Sequence, residues 1–252
     1  MTTLDVSALA AFGIAATPGA YPCRGRACSA TVELPGICAA CGDRLARADH
    51  ERSLAKARSS IPERFRWATI ESLPAHPGRV KMPQRLLDAA ARLTRHRVLM
   101  LVGPSGNGKT SVACAVLRAA IDAGGFEAPR AAQDRAQRAR YYEARKLFTD
   151  AEEREDGQPP YVLAMHMPVV VLDDVGQEVG GAIGNFKAAE RSKMIGDILS
   201  ARHEDSRLTT IVTTFARRNE WARLYGDGVA RRYFDAEDGV KVVDFEKLGG
   251  GT

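Results

Sequence analysis

Long apolar runs are missing from this chain of 252 residues. Nothing in it approaches the ~20 consecutive apolar residues of a membrane-spanning helix, so no membrane partner is expected. Basic residues are missing ahead of the one segment that could pass for a leader core, "ALAAFGIAA" at Ala8 to Ala16, where Asp5 stands instead. A cytoplasmic chain is therefore expected over an exported one. Internal repeats are also missing, which removes solenoids and propellers. Cysteine is nearly absent beyond one short stretch: Cys23, Cys28, Cys38 and Cys41 stand together, and Cys114 is the only other.

The rest of the composition is that of an ordinary globular protein, 45% hydrophobic and 27% charged. The net charge of +5 permits nucleic-acid binding through counterion release without establishing it, since the arginines are scattered. The length allows one full core with an appendage. Residues 1–22 are small and apolar, a loose lead or short helix, and 23–42 hold the cysteines. Residues 43–60, "DRLARADHERSLAKARSS", are strong helix formers with few apolar positions, hence a solvated connecting helix that Ile61-Pro62 ends. An appendage at 1–60 and a core at 61–252 are expected.

In the core, "RVLMLVG", "ARYY", "PVVVLDD", "LTTIVTT" and "VKVVDF" read as strands, the central ones apolar enough to be buried on both faces. Helices are expected at 82–95, 109–123, 143–155, 188–202 and 220–234, with 124–137 a loop or mobile insert. Alternation of this kind implies an α/β fold with a parallel sheet between helices.

The strongest motif is "VLMLVGPSGNGKTSVACAVL". Gly103, Pro104, Ser105, Gly106, Asn107, Gly108, Lys109, Thr110 and Ser111 follow an apolar strand and open a helix, which is the context a phosphate-binding loop requires. Glycines let backbone N–H groups approach phosphate oxygens, Lys109 reaches the β- and γ-phosphates, and Thr110 offers its hydroxyl to Mg²⁺. ATP and Mg²⁺ are the implied ligands. "PVVVLDDVG" ends a buried strand in two carboxylates, a costly arrangement for packing alone. Asp173 suits the metal and Asp174 the attacking water. Thr213 or Thr214 could contact the γ-phosphate or that water, though threonine is also a favoured strand residue. Arg231 or Arg232 could be an arginine finger acting on a neighbouring subunit's nucleotide, or a solvated helix-end cation.

Taken in order, "IPERFRWATIESL", the P-loop, "VVVLDDVG", "ILSARHEDSRLTTIVTT" and "YGDGVARRYFD" resemble the DnaC/DnaI/IstB family of AAA+ ATPases from about residue 61 onward. The resemblance implies an AAA+ P-loop core with little or no lid, and a catalytic set of Lys109, Asp173, Asp174, Thr214 and Arg232, with Arg231 second. It implies self-association through the ATP site and loading of a hexameric replicative helicase onto single-stranded DNA. The alternative is the IstB role, assistance to a transposase. Two positions depart from the family: Asp174 stands where Glu is usual, which leaves room for slow hydrolysis, and Phe215 stands where Asn usually ends the sensor strand. ATP is then as much a switch as a fuel. A small-molecule kinase would also use a P-loop, but the acidic pair and the paired arginines fit water attack better.

Cys23-x4-Cys28-x9-Cys38-x2-Cys41 has the ingredients of a four-thiolate zinc site, each half a short loop presenting two sulfurs. A disulfide pair is the competing reading, disfavoured without an export signal. Cys114, among Val112, Ala113 and Val116, reads as a small buried hydrophobe. By resemblance to the DnaI type, the module would dock on the helicase; single-stranded DNA is the other candidate, with only Tyr21 nearby for stacking. DNA contacts in the core are expected from "VGQEVGGAIGNFKAAERSK", through Phe186, Lys187, Arg191 and Lys193.

Overall fold

The computed structural model describes residues 21–25, 27–32, 36–73, 97–125, 127–149, 157–179, 187–235 and 239–248. The expected helix at 82–95 and most of the lead segment lie outside these. Two compact units divide at Glu51 and Arg52, earlier than residue 60.

The first unit holds a two-stranded antiparallel ribbon, β1 (Tyr21–Pro22) and β2 (Thr31–Val32), and the start of helix α1 (Ala39–Ser59). Within the second unit the end of α1 is not merely solvated. Leu54 and Ala57 are buried with Ile61 in the core, and Ser60 donates its hydroxyl to the Ala57 carbonyl. One leucine and one alanine three positions apart suffice to bury that face, which is why the sequence reads as polar there.

The second unit is built on five parallel strands: β3 (Val98–Val102), β4 (Ala139–Glu143), β5 (Val169–Asp173), β6 (Thr209–Thr214) and β7 (Val240–Asp244). All five coincide with the expected runs. Their order is β4-β5-β6-β3-β7. The three central strands are buried at every position, as unbroken apolar and β-branched runs require, whereas the edge strand β7 has exposed and half-exposed positions. Leu99, Ile211, Val171 and Tyr141 form one rung across β3, β6, β5 and β4. Helix α2 (Lys109–Asp122) covers that face with Val112, Val116 and Leu117.

Three further helices follow α2 ahead of β5 in chain order. The expected loop at 124–137 is in fact helical from Arg130 to Gln137 (α3). Pro129 sits just ahead and its carbonyl accepts from Ala132 and Gln133, so the proline starts this helix instead of breaking it. The glycine at 124 is required here: a Cβ on it would lie 2.0 Å from that of Ala136, inside contact distance. The expected helix at 143–155 begins later, because Glu143 still belongs to β4; α4 (Lys146–Thr149) is its described part. Helix α5 (Pro160–His166), with proline in its first turn, was not expected.

On the opposite face Val98, Met100, Val170, Leu172 and Val212 meet Ile195, Ile198 and Leu199 of α6 (Ala188–Glu204). The expected helix 220–234 is two, α7 (Arg218–Tyr225) and α8 (Asp227–Phe234). Gly226 separates them at φ 91°, a conformation a helix interior cannot hold. A short α9 (Phe245–Leu248) follows β7. No helix among the described residues is long and apolar enough to cross a membrane.

A buried cation ties α5, α6 and β6 together. Arg202 donates to the carbonyls of Ala164 (2.7 Å), Met167 (2.8 Å) and Thr209 (2.6 Å) and to the Thr210 hydroxyl (2.9 Å). Burial pushes its pKa down to about 10, still charged at neutral pH. Arg202→Met removes every one of these donors while keeping much of the volume. A loss of about 3 kcal/mol is expected from the unpaired carbonyls. At a few degrees per kcal/mol for a chain of this size, the melting temperature should fall by roughly 6–12 °C, readable by calorimetry.

Candidate functional site

The loop after β3 is shaped by left-handed glycines: Gly106 (φ 84°) and Gly108 (φ 85°), with Gly108 opening α2. Gly103 (φ 144°) donates its N–H to the Thr214 carbonyl at 3.1 Å, and a Cβ on it would stand 2.9 Å from that of Phe245. The loop is thus fastened to β6 on one side and packed on the end of β7 on the other. Pro104 and Ser105 are exposed, Asn107 half-buried, and Ser111 buried under the loop. Lys109 is 6% exposed and its ammonium donates to the Pro104 carbonyl at 2.8 Å. Burial lowers its pKa, opposed by the charges of Asp174 and Asp173.

Asp173 ends β5 and is 1% exposed. Three hydroxyls from three elements donate to it. Thr110 of α2 reaches Oδ1 at 2.9 Å and Oδ2 at 3.2 Å, Thr213 of β6 reaches Oδ1 at 2.5 Å, and Tyr141 of β4 reaches Oδ2 at 2.5 Å. The strand order makes this possible, since β5 lies between β4 and β6. A hydroxyl has one proton and two lone pairs, so Thr110 can donate to Asp173 and still offer an oxygen to a cation. Hard oxygen donors beside a phosphate loop fit Mg²⁺. Tyr141 was not expected here; "ARYY" reads only as strand. The register supplies the signal that was missed, because Glu143 pairs Asp173 and Tyr141 lies two residues back on the same face.

Asp174 is half-buried, with a left-handed backbone (φ 57°) and its N–H on the Thr213 hydroxyl at 2.9 Å. Burial raises its pKa, Asp173 adds to the rise and Lys109 opposes it. A carboxylate with elevated pKa thus stands beside a buried one that accepts from three hydroxyls.

The four cysteine sulfurs of the first unit lie within 4.8 Å of one another, with Cys28 and Cys38 at 3.6 Å and no disulfide among them. Zn–S bonds of ~2.3 Å in a tetrahedron put sulfurs about 3.8 Å apart, so the cluster fits zinc. Backbone N–H groups of Cys38 (3.2 Å) and Gly25 (3.3 Å) point at the Cys23 sulfur and hold its pKa down to about 6. Arg44 donates to the Cys41 sulfur at 3.0 Å. These donors favour thiolate, the ligating form, at Cys23, whereas contact with the Cys28 sulfur and burial push the Cys41 thiol up to about 12 against the Arg44 guanidinium. A Cβ at Gly25 would lie 2.4 Å from the Cys41 sulfur, so only glycine fits.

The family model of IstB-like ATP binding proteins matches residues 79–232. The chain belongs to this IstB-like family. Its P-loop and parallel sheet flanked by helices are the AAA+ P-loop fold. No curated protein matches it. Two solved structures are similar to it at 14% identity and a TM-score of 0.47. One is AMPPCP-bound DnaA from Aquifex aeolicus, where 73% of this chain and 50% of that chain are covered. The other is a candidate primosome component from Streptococcus pyogenes serotype M3, with 73% and 88% covered. The chain thus spans half the length of the DnaA chain.

Around this IstB-like core some expected residues stand elsewhere. The Thr214 hydroxyl is spent on the fold: it donates to the Val175 carbonyl at 2.6 Å and accepts from Ala216 N–H (3.1 Å) and Trp221 Nε1 (3.2 Å). A hydroxyl so engaged has nothing left for phosphate or water, and Thr213 is the threonine at the acidic pair. Phe215, one residue on, is 42% exposed. Arg231 is exposed on α8, and Arg232 lies 3.9 Å from Glu204. Of the expected DNA contacts, Phe186 lies outside the described residues. Lys187 is exposed where α6 begins, and Lys193 is exposed with Asp197 at 2.9 Å. Arg191 is fully buried, donating to the Glu178 carbonyl at 2.6 Å. It cannot contact DNA from there, because the backbone carbonyl that it satisfies would be left bare.

The metal centre is tested by chelation. About one equivalent of zinc per chain should be released to a colorimetric chelator after thiol blocking, and Cys28→Ser with Cys38→Ser should abolish it. Protein purified with no bound zinc and no zinc uptake would contradict the assignment.

Proposed function

We propose that this chain is an ATP-hydrolysing loader that delivers a hexameric replicative helicase to single-stranded DNA. The ATPase reading is carried by one observation, the Thr110 hydroxyl on the buried Asp173 carboxylate at 2.9 Å, beside Lys109 and Asp174. Lys109 would neutralise charge on the β- and γ-phosphates. Thr110 and Asp173 would hold Mg²⁺, which supplies Lewis-acid polarisation of the phosphate oxygens when bound. Asp174 would orient the attacking water and take its proton as the water oxygen bonds to γ-phosphorus and the β–γ bridging bond breaks. Its raised pKa brings it toward the range in which a general base works. Arg232, or Arg231, would stabilise the transferred phosphoryl on a neighbouring protomer's nucleotide, which makes self-association part of the cycle.

Loading is favoured over transposase assistance by the four-cysteine module ahead of the core. A separate metal-stapled unit is what an adaptor needs to grip a partner while the core cycles. On this reading the docking arm, expected at 1–60, ends at Glu51 and the motor runs from Arg52, with Lys187 and Lys193 available to DNA.

Asp174→Asn should retain ATP binding and lose hydrolysis by at least ~100-fold, as removal of a general base does. Lys109→Ala should lose ATP binding itself. In the native chain hydrolysis should fall on acidification, because protonation removes the base. The midpoint should lie above the ordinary Asp value of about 4, since the pKa is raised. Phosphate release across a pH series measures it; a midpoint at or below 4 would remove Asp174 from the role.

The adaptor reading is tested in the full chain. The double variant Cys28→Ser, Cys38→Ser should still bind ATP but no longer co-purify with the host's helicase. Unchanged helicase capture, or capture of a transposase by the native chain, would refute it.

A further inference from the structure

Asp173 poses an electrostatic problem that the metal alone does not solve. A carboxylate at 1% exposure loses its hydration, a penalty of several kcal/mol. Hydrogen bonds to a charged group return about 1.5–3 kcal/mol each, so two or three together are of the size needed. No cation touches either oxygen among the described residues. The donors are hydroxyls, and one of them, Thr110, stands in the first turn of α2 beside the phosphate loop. The other two are fixed in neighbouring strands, Thr213 on Oδ1 and Tyr141 on Oδ2.

The two oxygens are not equivalent. Oδ1 accepts from both Thr213 and Thr110, which uses its two lone pairs. Oδ2 accepts from Tyr141 at 2.5 Å and only a longer, shared contact from Thr110 at 3.2 Å. Oδ2 therefore keeps room for one further donor, such as a water on a bound cation. Among the described residues Tyr141 is the close partner that decides how Oδ2 is turned. Its ring is buried in the rung with Val171, Ile211 and Leu99, so the hydroxyl has little freedom to follow a rotating carboxylate.

We infer that Tyr141 is a positioning residue for the nucleotide-bound metal: its hydroxyl fixes Oδ2 of Asp173, the carboxylate that would hold Mg²⁺. The inference rests on the reading of Asp173 as the metal-orienting carboxylate. Removal of such an outer hydrogen bond from a metal ligand characteristically weakens metal affinity by 10–100-fold.

The test titrates Mg²⁺ into full-length protein with a fluorescent ATP analogue. Tyr141→Phe keeps the ring and removes only the hydroxyl. The half-saturating Mg²⁺ concentration should rise by about tenfold or more, while analogue binding in EDTA stays at the native value. Tyr142→Phe, which removes a hydroxyl from the other face of the same strand, should leave the Mg²⁺ dependence unchanged. Tyr141→Met, apolar and flexible, is the second variant should phenylalanine disturb folding, and carries the same expectation. If the native chain depends on Mg²⁺ and Tyr141→Phe shows the same dependence, Tyr141 does not position the metal site. If binding in EDTA weakens as much as binding in Mg²⁺, its role is general packing and the inference falls. If Mg²⁺ has no effect on the native chain, the reading of Asp173 itself fails, whatever Tyr141 does.

Discussion

A carboxylate held dry by hydroxyls is the constraint around which this core is arranged. At the end of β5 the Asp173 carboxylate receives a donor from the strand on each side and from the helix above. That requirement explains the strand order in functional terms. With β6 between β3 and β5, one threonine side chain sits where it can serve both members of the acidic pair: Thr213 gives its proton to Asp173 and accepts the N–H of Asp174. Removing any of these elements would leave a buried charge unsatisfied, so the fold and the phosphate chemistry share a single set of bonds.

Much of this was readable from residue order. The three central strands are nearly continuous runs of apolar or β-branched residues, the pattern of strands buried on both faces. The loop from Gly103 to Thr110 declares itself because glycine, lysine and threonine answer three separate needs of a triphosphate. The side-chain partners were less legible. Thr213 and Thr214 look alike in "TTIVTT", and only the alternation of faces sends one to the acidic pair and the other to Val175 and Trp221. Tyr141 was invisible because its role depends on a pairing register that links residues 32 positions apart. Arg191 looked like a surface cation in a basic stretch, yet it is the donor for a buried carbonyl. Helix boundaries failed where prolines act as starters, at Pro129 and Pro160, and where a glycine splits one amphipathic run into two helices.

The four-cysteine unit follows a different logic from the core. Few of its described residues are buried hydrophobics, so geometry has to come from sulfur and backbone N–H groups. The backbone donors on Cys23 and the guanidinium on Cys41 stabilise negative charge at the cluster, and Gly25 is the point at which the chain passes closest to a sulfur. One part of the protein thus depends on apolar burial and the other on ligand bonds. Heat and chelators should act on them separately.

The left-handed backbone at Asp174 also limits which sequences this position can explore. Aspartate, asparagine and glycine tolerate that conformation far better than longer side chains. Glutamate, whose extra methylene would carry the carboxylate further from the strand, is therefore not a simple exchange here. It would demand that the peptide between β5 and Gly176 be re-routed. The reach of this carboxylate is set by a torsion angle, and a lineage that acquired this turn would keep the short acid until the turn itself changed.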